Sequence, residues 1–217
     1  FSELLLRTKN LPEPNRIVKY AHGIHKGANR LHRLVENTLL YANLRFLQYA
    51  ADSPGSTRIE RAYRVKELLI LVSRQCAKNA RREDDLSMEI EDVRIYVLPE
   101  HFKKILTEIL DNAFKFSKAG TPVRVTTQAH EHDQCYAIDI TDQGRGMSPE
   151  EIEAIGGYVQ FERKHYEQQG MGLGLVIASL LTQLEGGDLT LHSEKDRGTR
   201  VRLRFVCAPK RREGSEK

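Results

Sequence analysis

Residues 15 to 50 contain no proline, and Ile17, Ile24, Leu31 and Thr38 recur at every seventh position. Ala21, Ala28, Val35 and Ala42 keep the same period four residues later. Such a repeat, with small alanines beside branched residues, is the seam of a helical bundle whose helices approach closely. A helix over 15–50 extends about 54 Å, more than the width of a small domain, so it requires a partner of similar length. Only Phe1 to Asn10 precedes it, and Leu11-Pro12-Glu13-Pro14 ends that stretch after about 15 Å. The rest of the partner helix is expected before Phe1, with a second copy of the hairpin completing a four-helix bundle in a homodimer. A start at phenylalanine rather than methionine agrees with a fragment.

Composition excludes several classes. Forty per cent apolar and 29% charged residues fit a folded chain rather than a disordered one. The longest apolar run, Leu68 to Val72, is far short of the ~20 residues that span a bilayer, and no secretory leader opens the chain. Cys76, Cys135 and Cys207 form no Cys-x-x-Cys pair, which argues against a zinc module or disulfide framework and for a reducing cytosol. The net charge of +4 arises in residues 1–57, with eight Lys or Arg against four acids; the remainder holds 26 of each. There is no dense basic stripe with interleaved aromatics, so a nucleic-acid partner is not expected. Lys210-Arg211-Arg212 reads as part of a solvated tail, 209–217.

Asp52-Ser53-Pro54-Gly55-Ser56 marks a linker at 52–57, separating a helical segment, 1–51, from a second domain, 58–208. In that domain the pattern predicts a short strand over 58–65, a helix over 66–82, and a strand pair formed by 86–91 with 93–98. A helix follows over 99–117 with Pro99 in its first turn, then strands over 123–130 and 136–141. A loop-rich stretch leads to a helix over 173–184, ended by Gly186-Gly187, and a hairpin of 188–193 with 199–207. The fold class is α+β, one mixed sheet with helices on one face.

Three local patterns carry chemistry. On the helix over 99–117, Phe102, Leu106, Ile109, Ala113 and Phe116 share a core-facing side, while Glu108, Asn112 and Lys115 share another stripe. A carboxylate, a carboxamide and an ammonium in line could hold phosphates and Mg2+, or could be an ordinary exposed face with i, i+4 pairs. Asp142-Gln143-Gly144-Arg145-Gly146-Met147 follows a strand. It is either a glycine-rich turn or a carboxylate placed to accept the exocyclic amine of adenine. Gly170-Met171-Gly172-Leu173-Gly174-Leu175 opens a helix and presents backbone amides as an anion site. A dinucleotide-binding loop is the rival, but no strand precedes these glycines.

In this order the patterns resemble the catalytic ATP-binding domain of two-component sensor histidine kinases, within the GHKL ATPase superfamily. Glu108–Phe116 resembles the N box, Asp142–Met147 the G1 box, Phe161-Glu162-Arg163 the F box and Gly170–Leu175 the G2 box; Gly198-Thr199 matches the pair before the final strand. Residues 1–50 resemble the end of the dimerisation and phosphotransfer hairpin. The resemblance implies an α/β sandwich that binds ATP with Mg2+. It assigns Asn112 to the metal, Lys115 to phosphate, Phe116 to packing beside the nucleotide and Asp142 to adenine, with Gly144, Gly146 and Met147 lining the pocket and Thr199 assisting Asp142. Arg163, in a lid at 156–170, is expected near the γ-phosphate, and Gly170 and Gly172 with Leu173, Gly174 and Leu175 around the phosphates. Glu108 departs from the asparagine common in histidine kinases. It is a group supporting the metal, a base for hydrolysis or a variant, and the first is the expectation.

The family's acceptor is a His followed by an acid and then Arg-Thr/Asn-Pro. His22, His25 and His32 lack that context, so the acceptor is expected about a dozen residues before Phe1. The resemblance implies the kinase core of a dimeric, cytoplasmic sensor kinase, with an upstream sensor domain and a response-regulator receiver domain as partners. The alternatives are a GHKL ATPase without phosphotransfer and a nucleotide-sensing pseudokinase.

Overall fold

The computed structural model describes residues 14–50, 62–130, 134–153 and 173–208. The expected helix Phe1–Asn10, the linker 52–57, the lid 156–170 and the tail 209–217 lie outside the described residues. The chain divides into two units, Phe1–Phe46 and Leu47–Lys217.

In the first, helix α1 (Pro14–Ala50) covers the predicted stretch without a break. It leaves Val18, Leu31, Leu34, Val35 and Leu39 at least half exposed. These include Leu31 and Val35, two of the heptad residues of the expected seam.

The second unit is layered. After strand β1 (Ala62–Arg64) come helix α2 (Lys66–Ala80) and a 3-10 turn at Glu83–Asp85. Strands β2 (Leu86–Glu89) and β3 (Arg94–Tyr96), helix α3 (Pro99–Phe116), and strands β4 (Val123–His130) and β5 (Cys135–Asp142) follow. Helix α4 (Leu173–Leu184) and strands β6 (Asp188–Glu194) and β7 (Gly198–Val206) complete it. Five strands form one mixed sheet in the order β2-β4-β5-β7-β6, and β1 pairs with β3 in a separate two-stranded ribbon.

The ribbon corrects one expectation. Residues 86–91 and 93–98 do not pair with each other: β2 lies parallel to β4, and β3 runs antiparallel to β1. A two-stranded hairpin needs a tight turn such as Asn-Gly, and none stands between them. The connection is instead tied to the sheet through Glu91. Its N–H donates to Thr127 Oγ1 (2.8 Å), its carboxylate accepts from Ala129 N (3.0 Å) and its carbonyl from the Tyr136 hydroxyl (3.1 Å). The parallel β2–β4 pair requires a long crossover, and α3 provides it.

Alternation sets the two faces of the sheet. Val123, Val125, Tyr136, Ile138, Ile140, Val201, Leu203 and Phe205 are buried on one side, with Phe102, Ile105, Leu106, Ile109 and Leu110 of α3 and Val176, Ile177, Leu180 and Leu181 of α4. Each large side chain removed from water there contributes about 1.5–3 kcal/mol. Phe102 meets Phe205 edge to face, centroids 5.7 Å apart, which fixes α3 on β7. The opposite face is polar. Asp139 accepts paired bonds from Arg200 (2.8 and 2.9 Å) and from Arg202 (both 2.9 Å) across the β5–β7 ladder.

Candidate nucleotide site

Helix α3 carries the functional stripe because its apolar residues fix its rotation. With Phe102, Leu106, Ile109 and Ala113 buried, Asn112 is half-buried at the edge and Lys115 is exposed, while Phe116, expected on the core side, is only half-buried and Glu108, expected on the open stripe, is buried. From Glu108 to Phe116 the stripe rises about 12 Å, comparable with the length of an extended nucleoside phosphate.

The C-terminal end of the stripe meets the glycine turn after β5. Gly144 crosses directly over α3: a Cβ there would lie 2.5 Å from the Phe116 carbonyl oxygen and 2.6 Å from Asp142 Oδ1. The next amide, Arg145 N–H, donates to that same carbonyl at 3.2 Å. Any side chain at 144 would push the turn off the helix. Gly146 adopts φ +60°, and a Cβ on it would overlap the Glu194 carbonyl. The turn is thus pressed between α3 and the β6–β7 hairpin.

Asp142 ends β5 and is buried. Burial pushes its carboxyl above the usual aspartate range, opposed by the backbone amides of Gly144 and Thr199 and by the positive charge of Arg82. Gly144 N donates to Oδ1 at 2.8 Å, and Thr199 on β7 is the register partner of Asp142. A carboxylate fixed by two amides is a directional acceptor, suited to an exocyclic amine. Gly198, at φ +104°, permits this packing, since a Cβ there would strike the Asp142 carbonyl.

Three contributors were not singled out from the sequence. Ser193 Oγ accepts from Met147 N (2.9 Å), donates to the Gly198 carbonyl (2.9 Å) and lies 2.9 Å from Thr199 Oγ1, which ties the glycine turn to the hairpin. Arg145 places its guanidinium over the Phe116 ring at 5.1 Å while Lys115 Nζ lies 4.7 Å from the same ring. Two cations therefore flank Phe116, a favourable setting for a phosphate-bearing ligand. Arg82, buried, caps the C-terminal end of α3. It donates to the carbonyls of Phe114 (2.8 Å), Ser117 (3.0 Å), Lys118 (2.7 Å) and Thr121 (2.9 Å), and to Asp85 at 2.6 Å. Nothing local in the sequence signals this, because those carbonyls lie more than thirty residues away.

At the other end of the stripe, Glu108 reaches α4. Its Oε1 accepts from Lys104 Nζ at 2.7 Å, and its Oε2 occupies the space that a Cβ on Gly174, in the first turn of α4, would need. Leu173, Gly174 and Leu175 are thereby brought to the stripe, whereas Arg163, Gly170 and Gly172 lie outside the described residues. The structure thus joins Glu108, Asn112, Lys115 and Phe116 with Asp142, Gly144, Gly146, Met147 and Thr199 at one end and the α4 terminus at the other. Among the described residues no group of three or more His, Cys, Asp or Glu could hold a metal ion. The donor set present, one carboxamide beside cations and a helix N-terminus, fits Mg2+ that keeps phosphate and water as most of its ligands.

Comparisons with known proteins agree with this geometry. The chain is 28% identical over 213 residues to the histidine protein kinase DivJ of Caulobacter vibrioides, covering 96% of this chain and 34% of DivJ. It is 28% identical over 186 residues to the histidine protein kinase SaeS of Staphylococcus aureus, covering 80% of this chain and 49% of SaeS. It therefore spans between a third and a half of these relatives. Among solved structures, the histidine kinase AdeS of Acinetobacter baumannii shares the fold with a TM-score of 0.65 at 13% identity, over 94% of this chain and 90% of that one. Full-length ShkA, solved in complex with AMPPNP, gives 0.64 at 22% identity, over 94% of this chain and 42% of that one. Residues 97–209, more than half of the chain, match the model of histidine kinase-, DNA gyrase B- and HSP90-like ATPases, and they contain every element of the stripe, the glycine turn and α4, so the chain belongs to that family.

Proposed function

We propose that the chain is the kinase core of a two-component sensor histidine kinase: it binds ATP with Mg2+ along α3 and donates the γ-phosphoryl group to a histidine for relay to a response-regulator aspartate. The observation that carries this reading is the single line from buried Asp142, past Phe116, Lys115 and Asn112, to the first turn of α4. ShkA, of the same fold, was solved with an ATP analogue, and the relatives DivJ and SaeS are histidine kinases.

In this reading Asp142 accepts the adenine amine while Gly144, Gly146 and Met147 shape the pocket around the ring. Phe116 packs beside the nucleotide, and Lys115 faces the phosphates. Bound Mg2+, held by Asn112 and the phosphates, would neutralise charge that develops as the terminal phosphoryl departs. The amides of Leu173 to Leu175, Gly170 and Gly172 receive phosphate oxygens at a helix N-terminus, and Arg163 approaches the γ-phosphate. A neutral imidazole nitrogen is already nucleophilic, so the protein's task is mainly alignment: an N–P bond forms as the bond to the β,γ-bridging oxygen breaks and ADP leaves.

None of His22, His25 or His32 is assigned as acceptor. The ring of His25 pairs with Asn29 and that of His32 with Glu36, both on the exposed surface of α1, and none has the family's flanking residues. Dimerisation through α1 and docking of a receiver domain on the basic hairpin complete the proposal. No helix among the described residues is long and apolar enough to cross a membrane.

The test is incubation of the full-length protein with γ-labelled ATP and Mg2+. Acid-labile label on the protein, lost in Asn112→Ala, supports phosphotransfer to histidine. Steady ADP production with no labelled protein would replace it with the hydrolytic reading.

A further inference from the structure

Glu108 occupies the stripe four residues before Asn112, yet its surroundings differ from those of an open ligand. The side chain is 3% exposed. Oε1 receives the Lys104 ammonium at 2.7 Å from the preceding turn of α3. Oε2 faces the Cα of Gly174, where a Cβ would overlap it. A magnesium ion on Oε1 would have to share that oxygen with a lysine, and Oε2 is directed at Gly174 in the first turn of α4. A base that activates water would need access to water, which this carboxylate lacks.

Gly174 lies in the first helical turn of α4, where backbone N–H groups have no acceptor within the helix and favour a nearby negative charge. The same turn is the described end of the glycine segment. We infer that Glu108 is a positioning residue: its carboxylate, held by Lys104, clasps the start of α4 to α3, so that Leu173 to Leu175 and the Asn112–Lys115 stripe face the nucleotide as one rigid unit. Gly174 is then glycine because the carboxylate fills the space of its missing side chain. This inference rests on the nucleotide-binding reading for its consequence in binding, but the clasp itself is a property of the protein without ligand and can be measured in that state.

Two measurements on the intact chain test it. The first is amide hydrogen exchange without nucleotide, followed at Ile177 and Ala178, whose helical acceptors are the carbonyls of Leu173 and Gly174. Glu108→Ala should speed exchange there by about tenfold, the effect of losing a buried carboxylate at a helix N-terminus. Glu108→Gln, which keeps the shape and one acceptor oxygen, should give a smaller increase and serves if the alanine variant folds poorly. Unchanged exchange in both variants would overturn the clasp.

The second is affinity for ADP, titrated with Mg2+ and again with a chelator. A clasp acts on the start of α4 whether or not metal is present, so Glu108→Ala should weaken both affinities by a similar factor. A loss confined to the magnesium titration would overturn the clasp and make Glu108 a metal ligand. Gly174→Ala adds a sign test. Alanine is the better helix former, so weaker binding in Gly174→Ala points to the collision with Glu108. In the Glu108→Ala background the same substitution should cause no further loss; an equal loss in both backgrounds contradicts the inference. Should the unaltered chain bind no adenine nucleotide, the functional reading fails while the exchange measurement still decides the clasp.

Discussion

At Asp142 one side chain joins burial, charge and recognition. Its carboxyl is held above the ordinary aspartate range by burial, and the ionised form, acceptor-only on both oxygens, is the one that accepts an amine proton best. Lowering the pH through that raised value protonates the group, which leaves a weaker acceptor that also carries a donor. Adenine-nucleotide affinity should therefore fall on acidification, and the fall should begin at a higher pH than an ordinary aspartate would allow; titrations at a series of pH values check this. Asp142→Asn replaces an acceptor-only group by an amide that also donates. Preference for ATP over GTP should then drop by about tenfold or more, and competition between the two nucleotides measures it. An Asp142→Asn variant with the original preference would take adenine recognition away from this residue.

Elements are held in place here by a few long-range polar ties as much as by the core. The guanidinium of Arg82 caps α3, where the carbonyls of the last turn lack helical donors and the helix dipole is negative. It is delivered there by a sharp end to α2: Arg81 takes a left-handed conformation (φ 57°), and Arg82 N–H bonds back to the Ala77 carbonyl at 2.9 Å. Arg82→Met keeps the length and removes the donors, so the chain should lose at least about 2 kcal/mol of stability in denaturant unfolding. Within the sheet, burial raises the Asp139 carboxyl, but the bonds from Arg200 and Arg202 outweigh it and bring it down to about 2. A depressed folded value gives stability that is complete above the unfolded value near 3.8 and is lost as pH falls towards 2. Asp139→Asn should flatten that acid limb of the stability curve, while leaving the nucleotide site intact.

The same ties explain what the sequence made legible. Helices α1, α3 and α4 and strand β4 follow from periodicity and punctuation along the chain, and the Asn112 stripe, the Asp142 turn and the Gly174 segment are local patterns. The β2–β3 connection departs from its expected pairing because Glu91 docks on β4 and β5, a contact that no neighbouring residue announces. Ser193 joins Met147 from 46 residues away and Arg82 joins Ser117 from 35, so neither had a local signature. Glu108 was visible as a departure from the family pattern, but its contact with Gly174 required the packing of α4 on α3.

At the scale of the whole molecule, α1 leaves Leu31 62% and Val35 50% exposed on one heptad seam. A helix with such a stripe gains stability only by burying it against another, and a second copy provides a matching stripe. Leu31→Asp with Val35→Asp would place like charges in that seam, so the chain should shift from dimer to monomer in light scattering. Residues 58–217 alone should be monomeric. An unchanged dimer in the double variant would move the interface elsewhere. In the proposed function, ATP with its magnesium lies along α3, between Asp142 and the start of α4, with Asn112 as the protein's metal ligand. Calorimetric titration of AMPPNP with Mg2+ tests it most directly, in the unaltered chain and in Asn112→Ala, repeated with a chelator. One nucleotide should bind per chain, and Asn112→Ala should lose the magnesium-dependent part of the affinity while keeping the part seen with chelator. Binding of magnesium AMPPNP by folded Asn112→Ala as tightly as by the unaltered chain would contradict it.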